Sequence, residues 1–242
     1  MSGHSKWSTI KRQKGAADVK RGATFTKIGN AITIAVKQGG GIGDPEQNPR
    51  LRLAIETARG ANMPKDNIER AITRAKEKGE RELQEVTYEG FAPGGVSVMV
   101  EAATDNPNRT TAEVKSLFNK SGARFAEPGA VGYLFKQVGE ITVNKNGKSL
   151  DDVFMVAADN GAEDVYDNGE EVIVYVEVSD LSKIKEALNS AGFDVTGAEI
   201  SRKPFSIVSL PPEQKDKIIT FLSDLEDMDD VQKVYSNISV NS

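Results

Sequence analysis

The chain contains no cysteine. Disulfides, thiolate-ligated zinc and thiol nucleophiles are therefore excluded. A cysteine-free chain fits a reducing compartment but does not require one. Histidine is almost as scarce. The single residue, His4, sits in a terminal segment that no sequence signal orders. A nucleophile–His–acid triad needs its base beside both partners, so a hydrogen bond to a phosphate or a base is the better reading of His4. Long apolar runs are missing too. The longest, Val153–Ala158, is far below the ~20 residues that span a bilayer. The N-terminus has charges but no apolar stretch behind them, so it does not read as a secretory signal. No Arg/Ser-rich transit extension precedes it, and a soluble cytoplasmic protein with no membrane partner is expected.

Other chemistries lack their spacing. The glycines at Gly39–Gly43 follow a helical pattern and are not followed by Lys-Ser/Thr, so they do not make a Walker loop. The acidic clusters Asp151-Asp152, Glu170-Glu171 and Glu226-Asp227-Met228-Asp229-Asp230 have no EF-hand spacing and read as solvated faces. No metal, no cofactor and no catalytic residue are expected. A nuclease using these acids is the enzyme alternative, and it has no ligand spacing to support it.

Acid is what the N-terminus lacks. Residues 1–37 carry eight Lys or Arg against one acid, Asp18, and residues 1–81 carry 17 basic and 8 acidic side chains. Residues 82–242 reverse this with 14 basic and 28 acidic side chains, within a chain of formal net charge −5. Such asymmetry points to a polyanion met by one end only. The candidate contacts are His4, Ser5, Lys6, Trp7, Lys11, Arg12, Lys14, Lys20, Arg21 and Lys27. Trp7, the only tryptophan, has two open readings. It could anchor the first helix in a core, or stack on an unpaired base with Lys6 and Lys11 on phosphates.

Length and a hydrophobic content of 38% accommodate two or three small domains with real cores. The basic part reads as three helices. The first covers about 17–38, with Phe25, Ile28, Ile32, Ala35 and Val36 as its apolar stripe. A flexible glycine loop ends it. The second opens at Asn48-Pro49, with Leu51, Ala54, Ile55 and Ala58 inward. The third opens near Pro64, with Ile68, Ala71, Ile72 and Ala75 inward, Arg70, Arg74 and Lys78 outward, and Gly79 as its stop.

Beyond Arg81, strands dominate. Val86–Phe91 and Val96–Ala103 flank Ala92-Pro93-Gly94-Gly95, a hairpin signal. A helix follows at 107–121, capped by Asp105 or Asn106. Arg109 in its first turn opposes the helix dipole and marks a possible secondary anion contact. From Glu140 to Ile200 the elements run βαββαβ, the ferredoxin-like order, with Asp167-Asn168-Gly169 turning the middle hairpin. The outer strands at 96–103, 131–135, 205–210 and 231–238, with helices 107–121 and 212–225, can be joined the same way. The expected class is a multi-domain α+β fold, a helical bundle followed by two α/β ferredoxin-like domains, one inserted in the other. The divisions are 1–81, then 82–137 plus 204–242, with 138–203 inserted. Two sequential domains are the alternative.

Five segments then resemble one family. They are Gly3-His4-Ser5-Lys6-Trp7, Asp44-Pro45-Glu46 leading to Asn48-Pro49-Arg50-Leu51-Arg52 and Asn62-Met63-Pro64-Lys65-Asp66-Asn67-Ile68-Glu69-Arg70-Ala71-Ile72, then Tyr88-Glu89-Gly90-Phe91 leading to Pro93-Gly94-Gly95-Val96, and Thr104-Asp105-Asn106 leading to Asn108-Arg109-Thr110. The chain is similar throughout its length to the YebC/PmpR family. Pro107 departs from the family pattern, which often carries Arg there, and this weakens an anion site in that loop. The resemblance implies a helical N-terminal domain followed by two α/β domains, in a bacterial cytoplasmic protein or a mitochondrial relative. It also implies a regulator of gene expression with no enzyme activity. Family members have been labelled DNA-binding transcriptional regulators, while relatives point to ribosomes and to easing the synthesis of difficult stretches such as consecutive prolines. The first expectation is a ribosome-associated, ribosomal-RNA-binding translation factor, monomeric. The second is a DNA-binding transcriptional regulator. Against the second, residues 39–47 make a long glycine-rich connection rather than a tight helix-turn-helix turn.

Overall fold

The computed structural model describes residues 19–76 and 82–239, with side chains from residue 24 onward. Seven helices and eight strands lie among these residues. They fall into two compact units. Among the described residues, one is Leu134–Ile207 with Ser239. The other combines the described residues up to Tyr133 with Val208–Ile238.

The second of these opens with the helical bundle. Helix α1 (Val19–Gln38), α2 (Pro49–Gly60) and α3 (Lys65–Arg74) pack through the stripes that their 3.6-residue spacing dictates. Ile32, Val36, Leu51, Ile55, Ala58, Ile68 and Ala71 form the buried centre, and Phe25, Ile28, Ala54, Ile72 and Ala75 pack on it. Small residues keep the helices close. Asn48 joins two of them. Its Oδ1 accepts from Leu51 N at 3.1 Å, capping α2. Its Nδ2 donates to the carbonyls of Ala35 at 2.9 Å and Ile42 at 3.1 Å. The glycine loop is thus pinned at both ends by one buried amide rather than being a loose tether. Gly39 makes this possible, since a Cβ there would lie 2.2 Å from Asn48 Nδ2. Helix α3 ends at Arg74, ahead of the expected stop at Gly79, which lies outside the described residues.

The bundle continues into a four-stranded antiparallel sheet of order β3-β1-β2-β8. Its strands are β1 (Gln84–Ala92), β2 (Val96–Thr104), β3 (Arg124–Ala126) and β8 (Val231–Ser236). Helix α4 (Pro107–Lys120) and α7 (Pro212–Glu226) cover it. Phe118 of α4 is fully buried and meets Phe125 and Phe221 edge-on, at 5.6 and 5.0 Å between ring centres. Helix α1 also lies against β2 and β8. Eight of the nine residues of β2 are buried, as expected of a strand covered on both faces.

This sheet differs from the expected second βαββαβ run. Segments 131–135 and 205–210 supply it no strand. Residues 132–134 form a single 3₁₀ turn, and Phe135 opens a strand of the other unit. Of 205–210, only Val208 makes a bridge, to Ile238. The hairpin β1–β2 fills the central places instead. For 131–135 the reason lies in Glu89. Its buried carboxylate accepts from the backbone N–H groups of Gly129 at 2.9 Å, Val131 at 2.5 Å and Gly132 at 2.9 Å. Donors spent on a carboxylate cannot pair a ladder.

The unit 134–207 holds β4 (Phe135–Asn144), α5 (Leu150–Asp159), β5 (Asp164–Asn168), β6 (Glu171–Val176), α6 (Leu181–Ser190) and β7 (Asp194–Pro204). This is the βαββαβ order read from the sequence. The sheet order is β5-β6-β4-β7, every neighbour antiparallel. Ser149 and Asp152 form a capping box at the start of α5. Val138, Ile141, Val143, Val172, Val174 and Val176 are fully buried, as are Leu181, Ile184 and Leu188.

Candidate nucleic-acid interface

Of the sequence-predicted contacts, His4, Ser5, Lys6, Trp7, Lys11, Arg12 and Lys14 lie outside the described residues. Lys20 and Arg21 fall in the first turn of α1. Lys27, two turns on, donates through Nζ to the main-chain carbonyl of Glu226, the last residue of α7. The predicted phosphate contact is thus engaged with a helix C-terminus, a place that favours a cation. Lys37 meets Glu82 at 2.8 Å and the Leu83 carbonyl at 3.2 Å.

Arg109 has its anion within the chain. Its Nη2 lies 2.8 Å from Asp230 Oδ2 and 3.3 Å from Asp105 Oδ1. The bond and charge of Asp230 push the guanidinium further toward its charged form. Asp230 also accepts from Thr104 Oγ1 at 3.0 Å and Thr110 Oγ1 at 2.5 Å. Burial works hardest against its charge, but the bonds from Thr110, Arg109 and Thr104 together outweigh it. The carboxyl is held below its ordinary range. Asn106, one of the two candidate caps, accepts from Arg109 N at 3.2 Å.

The bundle presents further cations that the predicted set lacks. Arg50 donates to the Gln38 side-chain oxygen. Arg52 donates to the Pro45 and Glu46 carbonyls at 3.1 and 3.2 Å. Arg70 donates to the Asp66 carbonyl at 3.3 Å and to Asn67 Oδ1. Arg74 donates to Asn30 Oδ1 at 2.7 Å and Thr33 Oγ1 at 3.1 Å. All these acceptors are neutral. Among the described residues these guanidinium groups are oriented by neutral oxygens and no carboxylate pairs with them, which suits recognition of phosphate. The i,i+4 spacing of Arg70 and Arg74 is the sequence signal for two of them; Lys78, next in that row, lies outside the described residues.

The unit 134–207 does the opposite. Lys136 lies 2.5 Å from Glu163 and 2.7 Å from Glu177. Lys145 lies 2.8 Å from Asp167, and Lys203 lies 2.6 Å from Asp164 while facing the Tyr166 and Tyr175 rings. These three cations are matched to carboxylates, while Lys148 and Lys183 donate to the main-chain carbonyls of Gly192 and Asn160. Nearly half of the unit's cations are thus turned away from phosphate by a carboxylate. Among the described residues, no helix is long and apolar enough to cross a membrane. No group of three or more Asp, Glu or His among them could hold a metal ion.

Residues 5–78 match the family model for the TACO1/YebC protein N-terminal domain, and residues 83–238 match that for the TACO1/YebC second and third domain. A probable transcriptional regulatory protein of Trichlorobacter lovleyi is 46% identical over 243 residues, covering 100% of this chain and 97% of that one. One from Chlorobaculum tepidum is 46% identical over 245 residues, covering 100% and 96%. The crystal structure of a conserved hypothetical protein from Aquifex aeolicus superposes with a TM-score of 0.86 at 43% identity, covering 94% of this chain and 93% of that one.

Proposed function

We propose, from the premise that this chain belongs to the TACO1/YebC family, that it is a non-catalytic regulator of gene expression that binds nucleic acid through its basic N-terminal domain. Ribosomal RNA is the target, and the protein acts as a cytoplasmic, monomeric translation factor on the ribosome. By resemblance, its task there is easing difficult stretches such as proline-rich ones. The domains in this reading are 1–81, then 82–137 plus 204–242, with 138–203 inserted as an acidic module that keeps clear of phosphate.

The carrying observation is the contrast in ion pairing. Arg52 and Arg74 of the bundle bond to neutral oxygens, while Lys136, Lys145 and Lys203 of the unit 134–207 face carboxylates. Contact with phosphate releases counterions, so binding must weaken with salt. The glycine-rich connection between α1 and α2 is unlike the tight turn of a helix-turn-helix reader. The relatives are named probable transcriptional regulatory proteins, which supports a second reading, a transcriptional regulator acting on duplex DNA.

The test is co-sedimentation with ribosomes from a DNase-treated lysate across a salt series. Salt-sensitive sedimentation is expected. Replacing Lys11, Arg12 and Lys14 together by Ala should lower the slope of log K against log salt by roughly 0.7–0.9 per lost phosphate contact. An unchanged slope removes those three from the contact. Failure to sediment, together with tight binding to one duplex sequence, favours transcription.

A further inference from the structure

A cavity of about 290 Å³ opens between α1 and α3. Ligand clefts start near ~300 Å³, so it suits one nucleotide and excludes a duplex. Its apolar lining includes the Phe25 ring, the Met63 side chain and the bare backbone of Gly29. Its polar lining includes Asn67, Arg70 and Arg74. We propose that this cavity receives a single unpaired nucleotide of an RNA, its base against Phe25 and Met63 and its phosphate against Arg70 and Arg74. The proposal rests on the RNA-binding reading above and gives it a specific seat.

The chemistry of the lining fits that ligand on each side. Unpaired bases are held by stacking on aromatic rings and by hydrogen bonds along their edges. Phe25 packs against the bundle core but is only partly buried. The Asn67 oxygen accepts from Arg70, leaving the two amide hydrogens for a base-edge carbonyl. Arg74 is aimed by Asn30 and Thr33, which are 7% and 1% exposed. The Thr33 hydroxyl lies 3.0 Å from the Gly29 carbonyl and 3.1 Å from that of Ala71. Both walls of the cavity and its guanidinium thus share one buried polar junction. A phosphate arriving there meets a cation already oriented, so little side-chain entropy remains to be lost.

Gly29 is the independent observation. It sits inside a 20-residue helix, where glycine is less favourable than alanine by about 1 kcal/mol. Packing does not demand it. A Cβ there would meet only Met63 Cε, at the ordinary distance of 3.8 Å. The backbone does not demand it either, for Gly29 is not among the residues of positive φ. What the missing side chain preserves is space beside Met63, within the cavity.

The test uses the full chain, a single-stranded RNA containing 4-thiouridine, and duplex DNA at the same salt concentration. Gly29→Ala should leave the melting temperature unchanged or raise it, and should weaken binding to the RNA. Phe25→Leu keeps an apolar side chain but loses the stacking face. It should weaken RNA binding roughly 5- to 150-fold, the equivalent of one lost stack, and leave duplex binding unaltered. Arg70→Ala should weaken RNA binding and lower its salt slope. Ultraviolet crosslinks should map to the peptides carrying Phe25 or Met63. If wild-type protein binds the RNA in a salt-sensitive way but crosslinks elsewhere, with Gly29→Ala and Phe25→Leu unaffected, the nucleotide seat is wrong and the RNA-binding reading stands. If the wild-type protein binds no RNA, both fall. Equal losses on RNA and duplex also overturn the seat, because contact would then rest on phosphate alone.

Discussion

Arg109 Nη2 lies 2.8 Å from Asp230 Oδ2, tying the first turn of α4 to the residue just before β8 across 121 positions of sequence. The same carboxylate oxygen accepts from Thr104 and Thr110, so one acid holds three elements. Thr110 is fully buried. Removing the charge leaves its hydroxyl poorly matched.

Asp230→Asn should therefore destabilise the protein by about 1–3 kcal/mol at neutral pH, the range for losing a buried bond to a charged group. The folded carboxyl titrates below its ordinary value, near ~3.9. Its stabilisation is thus fully present above that value and fades as pH falls through the lower, folded one. Urea unfolding of both proteins at neutral and acid pH checks this. The gap between wild type and variant should close on the acid side; a gap that widens there contradicts the assignment.

Glu89 should be equally sensitive. A glutamine in its place is isosteric but turns an N–H₂ toward donors that need an acceptor. Glu89→Gln should cost about 1.5–3 kcal/mol. In the variant, the Gly129, Val131 and Gly132 amides should exchange hydrogen faster than those of the sheet's strands. Uniform protection across this segment in the variant would mean that the carboxylate does not hold it.

These two acids also mark what local sequence conceals. The apolar stripes of α1, α2 and α3 are legible because Ile32, Leu51 and Ile68 recur with small neighbours at helical spacing, and the stripes alone define the bundle core. The βαββαβ order of the unit 134–207 is legible for the same reason, each element carrying its own period and turn. Segment 131–135 has strand-like residues, yet its neighbouring donors are claimed by Glu89 some 40 positions away, and no local pattern announces that. The anion that meets Arg109 lies further away still. In the candidate interface, Arg70 and Arg74 are visible by spacing. Arg70 finds its acceptors within its own helix, but those of Arg74 emerge only when Asn30 and Thr33 of α1 come alongside.

Gly90 is fixed by close approach. A Cβ there would lie 2.4 Å from Phe118 Cε1 and 2.5 Å from the Arg124 carbonyl oxygen. Phe118 is fully buried and Arg124 belongs to the adjacent strand, so neither can retreat easily. Gly90→Ala should destabilise by about 1–3 kcal/mol through overpacking, with a lower urea midpoint and an unchanged slope. An unchanged midpoint would mean that β3 shifts freely.

Lys27 separates two roles that sequence alone merges. Its position in the basic stretch suggests phosphate, but its ammonium donates to the Glu226 carbonyl at the C-terminus of α7. A cation there contributes typically about 0.3–1 kcal/mol through the helix dipole. Lys27→Met keeps most of the aliphatic stem and removes the charge. It should lower the unfolding free energy by an amount of that order and leave the salt slope of RNA binding unaltered. Lys11, Arg12 and Lys14 replaced together should do the reverse, lowering the slope while leaving stability alone. Both measurements are made on the same preparations, by urea unfolding and by titration across a salt series. A loss of roughly 0.7 in slope for Lys27→Met, with no change in stability, would return Lys27 to the phosphate contact and leave the link between the bundle and α7 without an energetic role.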